Sequence, residues 1–273
     1  MASRKALEIK QTDAIRSFPP EDIYTLCANL VLEKHGRPHL PWSVKAQLMG
    51  VPGSSTGEVF HEWAQLPISR EQFRKEQREQ QRMHFPECEP LPGAEKLLRG
   101  LKKAHNTNKA KIHIALASSS EKHNYDLKIL RPETRELLDN FDEDRRVLGD
   151  DARLASGRGK PHPDIFLMAL QSINDTLEDD EVPITPAECL VFEDSVPGVE
   201  AGRRAQMRVV WVPHQALEAE YKDKEGLVLA GRTGLVQVAD DSKLGEIDDG
   251  WAVKLSSLEH FPWSKFGILT STK

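Results

Sequence analysis

Apolar residues recur at the helical period through the first third of the chain. Between Glu21 and Lys34 they fall at positions 23, 26, 27, 30 and 31, and Gly36 follows as a helix stop. The same period predicts helices over residues 21–34, 42–49, 59–66 and 68–84. Acidic and basic residues alternate along the last of these, so we interpret it as a solvated helix face rather than a nucleic-acid contact.

From Pro92 onward, short apolar runs alternate with amphipathic segments. Runs rich in Val, Ile and Leu that are separated by helices predict a parallel sheet covered on both faces, and hence an α/β fold. Strands are predicted at 112–117, 146–149, 189–192 and 207–212, and helices at 93–103, 163–173 and from about 198. A last strand and helix are expected within 251–261, whereas 226–250 is rich in turns and gives no clear pattern.

The composition is that of a globular protein and excludes several classes of function. Of 273 residues, 38% are hydrophobic and 29% are charged, with a net charge of −6, which argues against a nucleic-acid partner. No apolar run approaches the roughly 20 residues that cross a bilayer, and no signal-peptide core is visible. Three widely spaced cysteines are typical of reduced thiols, so we expect a cytoplasmic protein with no membrane partner.

Glu193 and Asp194 end the third predicted strand. Ligands of parallel sheets bind beyond the carboxyl ends of the strands, and two adjacent carboxylates there concentrate negative charge. A hard divalent cation such as Mg²⁺, which takes oxygen ligands, would relieve that repulsion. The alternative is that Asp194 only caps the following helix, and these residues alone leave both interpretations open.

Lys160 lies in a loop between Gly159 and Pro161. Glycine allows close backbone approach and proline restricts the loop, so the ammonium is held in one direction. A lysine held in this way can act as a point charge on a phosphate oxygen and a carboxylate. For the loop taken alone, an ordinary surface lysine in a turn is the more frequent outcome.

Ser118 follows the strand predicted at 112–117. We predict that its hydroxyl, Ser119 and the free N–H groups of the turn together bind a phosphate group. The alternative is that Ser119 or Ser120 is an ordinary cap of the next helix.

Four strings occur in a fixed order along the chain. They are ALASSS (115–120), LGDD (148–151), GKPHPDIF (159–166) and CLVFEDS (189–195). Together they resemble the haloacid dehalogenase (HAD) superfamily, and in particular its small capped phosphatases of the pseudouridine-5′-phosphatase and β-phosphoglucomutase kind. The resemblance runs from about residue 21 to residue 213.

The resemblance implies a Rossmann-like HAD core with a parallel sheet and a small helical cap. It places the cap at 24–88 and the core at 89–273, after an atypical N-terminus at 1–23. The site residues that it implies fall into three groups: catalytic, Ser118, Lys160 and Asp194; phosphate-binding, Ser118, Ser119 and Lys160; Mg²⁺-binding, Glu193 and Asp194.

The sequence departs from the family at the nucleophile, which is the first aspartate of an Asp-x-Asp-Gly motif after an apolar strand. Without insertions or deletions, the two aspartates fall at Thr12 and Ala14. Asp13 is a nearby carboxylate, but no glycine follows it and residues 6–10 are a weak substitute for the strand. We therefore expect no nucleophile here, and interpret the break as a misread or alternative first exon, with an evolved loss of catalysis as the alternative.

The expected activity is Mg²⁺-dependent hydrolysis of a small phosphorylated metabolite, such as a nucleoside or sugar phosphate, impaired by the missing aspartate. Two alternatives remain open from the sequence. One is a non-catalytic protein of the superfamily that binds phosphate and Mg²⁺. The other is a sugar-phosphate mutase or a dehalogenase.

Overall fold

Apolar segments assemble into a six-stranded parallel sheet in the computed structural model, which describes residues 6–9, 20–50, 53–179, 181–235 and 243–270. The strands are β1 (Ala6–Ile9), β2 (His105–Asn106), β3 (His113–Ala117), β4 (Arg146–Val147), β5 (Cys189–Glu193), β6 (Arg208–Trp211), β7 (Ala252–Lys254) and β8 (Ile268–Leu269). The order in the large sheet is β4-β3-β1-β5-β6-β7, and every pairing in it is parallel. Strands β2 and β8 form a separate antiparallel pair.

Helices precede the sheet and connect its strands. They are α1 (Pro20–Lys34), α2 (Trp42–Leu48), α3 (Gly53–Ala64), α4 (Arg70–His84), α5 (Ala94–Lys102), α6 (Lys122–Lys128), α7 (Pro132–Leu138), α8 (Asp164–Asn174), α9 (Val196–Arg204), α10 (Gln215–Glu220) and α11 (Glu225–Ala230). None of the helices in the described ranges is long and apolar enough to cross a bilayer.

The sheet separates two apolar layers, because successive strand residues point to opposite faces. On one face, Ile114, Leu116, Leu190 and Phe192 pack with side chains of α5, α6 and α7. On the other face, alternate residues of the same strands pack with side chains of α8 and α9. Coverage of both faces explains why β3 and β5 are continuously buried.

Helices α1 to α4 enclose a smaller apolar cluster of their own. It consists of Val31, Leu32, Phe60, Ala64 and Phe73. In contrast, the two ends of this helical segment belong to the apolar cluster that packs on the α5, α6 and α7 face of the sheet. Ile23 and Cys27 lie at its start, and Phe85 and Cys88 lie at its end. The helical segment therefore has a local core and also packs with the sheet, at its two ends and through Ala46 and Met49, which join the cluster on the other face.

The α/β fold with a parallel sheet is confirmed, as are the strands predicted from the four apolar runs, within two residues at each end. The helix predicted at 59–66 begins earlier, at Gly53. The last strand is also confirmed as β7, but the helix expected within 251–261 is wrong. Leu258 and Phe261 enter the core from a loop, and their spacing of three residues imitates the helical period.

Residues 6–10, interpreted from the sequence as a weak substitute for the family's strand, include a strand in the structure. Segment Ala6–Ile9 forms β1 at the centre of the sheet, and Ile9 lies in register with Leu116 of β3 and Phe192 of β5. The segment is short and contains a charged residue, which made its apolar pattern weak. Strands pair through backbone N–H and C=O groups, and every residue except proline has both. A segment with a weak apolar pattern can therefore still pair with a strand on each side.

The positions of the family's two aspartates, Thr12 and Ala14, lie outside the described residues, as does Asp13. The absence of a nucleophile therefore stays a prediction from the sequence.

Candidate active site at the carboxyl edge of the sheet

Two candidate residues leave the sheet from the strands on either side of β1. Ser118 directly follows β3, and Glu193 is the last residue of β5. Both strands run parallel to β1, so their carboxyl ends meet at one edge of the sheet. This edge is where ligands of open α/β sheets bind.

Lys160 reaches this edge from the loop before α8. Its side chain is only 1% exposed, its ammonium lies 4.5 Å above the ring of Phe166, and the peptide bond to Pro161 is cis. The ammonium donates to Glu193 Oε1 at 2.5 Å and lies 3.5 Å from the carbonyl oxygen of Ala117. Lys160 therefore joins the ends of β3 and β5, and the alternative of a surface lysine is wrong.

Glu193 is held at its second oxygen by the start of α9. Ser195 donates to Glu193 Oε2 from its hydroxyl at 3.1 Å and from its backbone N–H at 3.4 Å. The same hydroxyl accepts from the N–H of Gly198 at 3.2 Å, which makes Ser195 the N-cap of α9. The N-cap of this helix is therefore Ser195, and not Asp194 as the alternative interpretation of the sequence had it.

Gly198 leaves room for the Glu193 carboxylate. A Cβ at this position would lie 1.9 Å from Glu193 Oε2, far inside van der Waals contact. Because α9 begins here and its residues are buried, neither partner can easily move away.

We expect Gly198→Ala to displace the carboxylate and to lower the free energy of unfolding by about 1–3 kcal/mol, the usual cost of overpacking. Urea denaturation measures this change. Gly226→Ala in α11 is the matched control, since its Cβ would lie 3.2 Å from one methyl group of Ile247 and alanine is the better helix former. Equal stability of the two variants would show that Glu193 can move freely.

Asp194 follows Glu193 with 7% of its surface exposed. The indole N–H of Trp211 donates to its backbone carbonyl at 3.0 Å, which fixes the chain at this point. Mg²⁺ is commonly bound by one or two carboxylates together with waters and substrate phosphate. Glu193 and Asp194 are consecutive carboxylates and so supply the ligand type of that donor set, although the described ranges contain no group of three or more His, Cys, Asp or Glu side chains placed to hold a metal.

Residues 118–120, which we call the serine turn, are fixed by hydrogen bonds from both sides. The N–H of Ser118 donates to the carbonyl of Val147 at 2.9 Å, and the Ser118 hydroxyl accepts from the N–H of Ser120 at 3.1 Å. The carbonyl of Ser120 accepts from Gly149 at 2.9 Å. Ser118 and Ser120 are buried and Ser119 is exposed between them.

The alternative role of the serine turn as a helix cap is not observed. Helix α6 has Glu121 at its N-cap position, with no side-chain capping bond. A residue of the LGDD string bonds to the start of the helix instead: the Asp150 carboxylate accepts a hydrogen bond from the N–H of Lys122 at 2.8 Å. The turn's conformation therefore depends on the neighbouring loop after β4 rather than on its own helix.

Sequence reasoning missed the contact between the helical segment and Ser195. Gly50, just after α2, has φ of +77°, and a Cβ there would lie 2.4 Å from the Ser195 hydroxyl. Nearby, the indole of Trp42 stacks on the imidazole of His214 with ring centroids 4.5 Å apart. Both contacts join residues far apart in sequence, so no local pattern signals them.

Comparison with known proteins identifies relatives over most of the chain. The sequence profile of the haloacid dehalogenase-like hydrolase family matches residues 55–206. A Saccharomyces cerevisiae protein named as a probable pseudouridine-5′-phosphatase is 38% identical over 91% of this chain and 91% of its own length. An Arabidopsis thaliana (DL)-glycerol-3-phosphatase is 33% identical over 74% of this chain and 78% of its own.

A solved structure supports the fold. The crystal structure of a family IA HAD hydrolase from Entamoeba histolytica matches with a TM-score of 0.62 over 96% of this chain and 97% of that chain. The two sequences are 18% identical, so this likeness concerns the fold alone.

Proposed function

The chain belongs to the haloacid dehalogenase-like hydrolases, and on that premise we propose that its site takes small phosphorylated metabolites with Mg²⁺. By homology it is a phosphatase of that family. The observation that carries the proposal is the buried pair of Lys160 and Glu193, held between the ends of β3 and β5 beside Ser118.

A buried ion pair is unfavourable to form, so its presence at the sheet edge is explained best if it binds a ligand there. Removing two charges from water costs several kcal/mol per ion, and attraction between them offsets this only with good geometry and further hydrogen bonds. Here the pair contributes one ammonium, which has three donor hydrogens, and Glu193 uses one of its oxygens for it. A phosphoryl group beside Ser118 would interact electrostatically with the Lys160 ammonium.

We assign the roles as follows. Ser118 and Ser119 donate hydrogen bonds to the phosphoryl oxygens, and Lys160 neutralises their charge while it orients the group in the crevice. Asp194 and Glu193 hold Mg²⁺, which when bound supplies further neutralisation of phosphate charge. Positioning and electrostatic stabilisation are the main contributions that a protein makes to phosphoryl transfer.

Residues 24–88 form a cap domain in this proposal and 89–273 the core. Two features support that division: the separate apolar cluster inside α1 to α4, and the return of the chain to the sheet near Phe85. The contact of Gly50 with Ser195 places the end of α2 beside the proposed Mg²⁺ site. The cap is therefore positioned to contact whatever the phosphate is attached to.

The substrate class is proposed from the relatives. The two named above are called a pseudouridine-5′-phosphatase and a glycerol-3-phosphatase, which points to a phosphate ester of a nucleoside, sugar or polyol. We propose in addition that this chain as written has little activity, because Thr12 and Ala14 stand where the family has aspartates.

A second function follows from that departure in the sequence. Without a nucleophile, the same groups at the carboxyl edge would bind phosphate and Mg²⁺ without hydrolysis. Hydrolysis and binding must therefore be measured separately.

We expect Asp194→Asn to abolish most of the Mg²⁺ binding of the chain, because the amide has no charge to offer a hard cation. Calorimetric titration with Mg²⁺ measures the affinity. Asp144→Asn is the matched control, since Asp144 is an exposed aspartate just before β4, at the opposite edge of the sheet. Unchanged affinity in the Asp194 variant would remove the metal assignment.

A further inference from the structure

A buried lysine of α6 lies against the serine turn. Lys128, the last residue of α6, is 4% exposed. Its ammonium donates to the hydroxyl of Ser120 at 3.0 Å and to the hydroxyl of Tyr24 at 3.1 Å. It also lies 4.7 Å from the ring centre of Tyr24 and 5.2 Å from that of Phe85.

The directions of these hydrogen bonds matter for an anion. An ammonium only donates, so the oxygens of Ser120 and Tyr24 both accept from it. Each hydroxyl keeps its own hydrogen, and the two oxygens are 3.4 Å apart, so one hydrogen can lie between them. The Lys128 ammonium thus contributes a positive charge and two hydrogen bonds to this cluster, and positive charge is favourable near a bound anion.

Ser120 connects this cluster to the proposed phosphate site. Its backbone N–H donates to the hydroxyl of Ser118, and its carbonyl accepts from Gly149. Ser120 therefore contacts Lys128 through its side chain and the Ser118 hydroxyl through its backbone N–H. The charge of Lys128 acts on the turn from the protein interior, where it is weakly screened.

Tyr24 and Phe85 connect the cluster to the helical segment. Tyr24 lies in α1 and Phe85 directly after α4, and their rings meet edge to face with centroids 4.9 Å apart. These residues lie at the two ends of the helical segment, which both pack with the sheet's core. Lys128 touches both of them and the serine turn.

We propose that Lys128 is a positioning residue: it holds the serine turn through Ser120 in the geometry that binds phosphate, with Tyr24 joining that turn to the start of the helical segment. The inference rests on the proposed phosphate-binding role of Ser118.

A structural role and a positioning role predict different results for Lys128→Met. Methionine is unbranched and fills irregular apolar spaces, and replacing buried charged groups by apolar ones of similar volume is often neutral or stabilising. If Lys128 only fills space, the variant keeps its phosphate affinity. If Lys128 positions the turn, the variant loses phosphate affinity while its melting temperature is kept.

The test is calorimetric titration with inorganic phosphate in the presence of Mg²⁺. We expect Lys128→Met and Ser120→Ala each to weaken phosphate binding about tenfold, the size of one charge-assisted hydrogen bond. Since both act through one contact, we expect the double variant to be no weaker than the weaker single variant. Lys128→Arg should recover part of the affinity, and Lys122→Met is the matched control, because Lys122 is exposed on the same helix and pairs with Asp126.

Each result decides a different claim. Unchanged affinity in Lys128→Met, or losses that add in the double variant, would overturn the positioning role while phosphate binding by the unmodified chain stands. No phosphate binding by the unmodified chain would overturn the proposed function and this inference with it. If Lys128→Met does not fold, Lys128→Arg and Ser120→Ala decide: full affinity in Ser120→Ala overturns the proposal.

Discussion

Restoring the two aspartates and the glycine is expected to raise Mg²⁺-dependent hydrolysis of p-nitrophenyl phosphate from a negligible level by about 10⁶-fold, the cost of removing a nucleophile in a well-studied protease. The variant is Thr12→Asp, Ala14→Asp, Ile15→Gly. Ser118, Lys160 and Asp194 are already at the carboxyl edge beside β1, so the substitutions add the groups that the family pattern requires and leave the rest unchanged.

The control for this experiment carries Asn at both positions together with the same glycine. It reproduces the shape of the motif without a nucleophilic carboxylate, so it should stay inactive. A chimera with residues 1–20 replaced by an apolar strand ending in Asp-x-Asp-Gly tests the same idea with a stronger strand. Because Ala6–Ile9 already occupies the central position, we expect its gain in stability to be about 2 kcal/mol for each apolar side chain that becomes newly buried.

Activity must be compared at equal concentration of folded protein, since poor folding imitates inactivity. Strong Mg²⁺-dependent turnover by the unmodified chain would show that a nucleophile exists outside the family pattern. A well-folded restored variant that stays inert on a broad panel of phosphate esters would leave the binding function instead.

Lys160→Met is expected to weaken phosphate binding by about 10- to 100-fold, because a hydrogen bond to a charged group contributes roughly 1.5–3 kcal/mol. The same substitution should lower the free energy of unfolding by about 3–5 kcal/mol, since it leaves the Glu193 carboxylate buried without its ammonium partner. Phosphate titration and urea denaturation measure the two effects.

A second substitution separates these effects. Lys160→Met combined with Glu193→Gln removes both charges, so most of the stability should return while phosphate affinity stays low. Recovery of phosphate binding in the double variant would show that Lys160 serves only the ion pair. Full stability of the single variant would show that Glu193 is solvated in solution.

The sequence was sufficient to place Ser118, Glu193 and Asp194 at the carboxyl ends of predicted strands. Buried parallel strands are continuously apolar, and a polar residue at the end of such a run marks the carboxyl edge. Ser118 after β3 and Glu193 at the end of β5 follow this rule directly. The order of the four strings that contain these residues along the chain is what resembles the family.

Contacts between distant residues could not be predicted in this way. The burial of Lys160 depends on a glutamate 33 positions away, and Lys128 meets Tyr24 across 104 positions. Periodicity describes neighbours three or four residues apart, so it has no information about such pairs. The capping role of Ser195 was missed because Asp194 beside it is an equally good capping residue by type.

Strand β1 shows a different limit. The strand pairs with β3 and β5 through backbone groups, between two strands that leave room for it. The apolar pattern of Ala6–Ile9 is short and interrupted by a charged residue, so this pattern gave little indication of the strand. The helix wrongly expected near Phe261 is the converse case, in which apolar spacing has a helical period but the chain is a loop.

The central claim is that the carboxyl edge beside β1 is a phosphate and Mg²⁺ site built from Ser118, Lys160, Glu193 and Asp194. A crystal structure of the chain grown with Mg²⁺ and tungstate tests it most directly, because the anomalous signal of tungsten locates the phosphate analogue. We predict the anion within hydrogen-bonding distance of Ser118 and Lys160, with the metal at Asp194. Tungstate bound elsewhere, with this edge filled only by water at saturating concentrations of both ions, would contradict the claim.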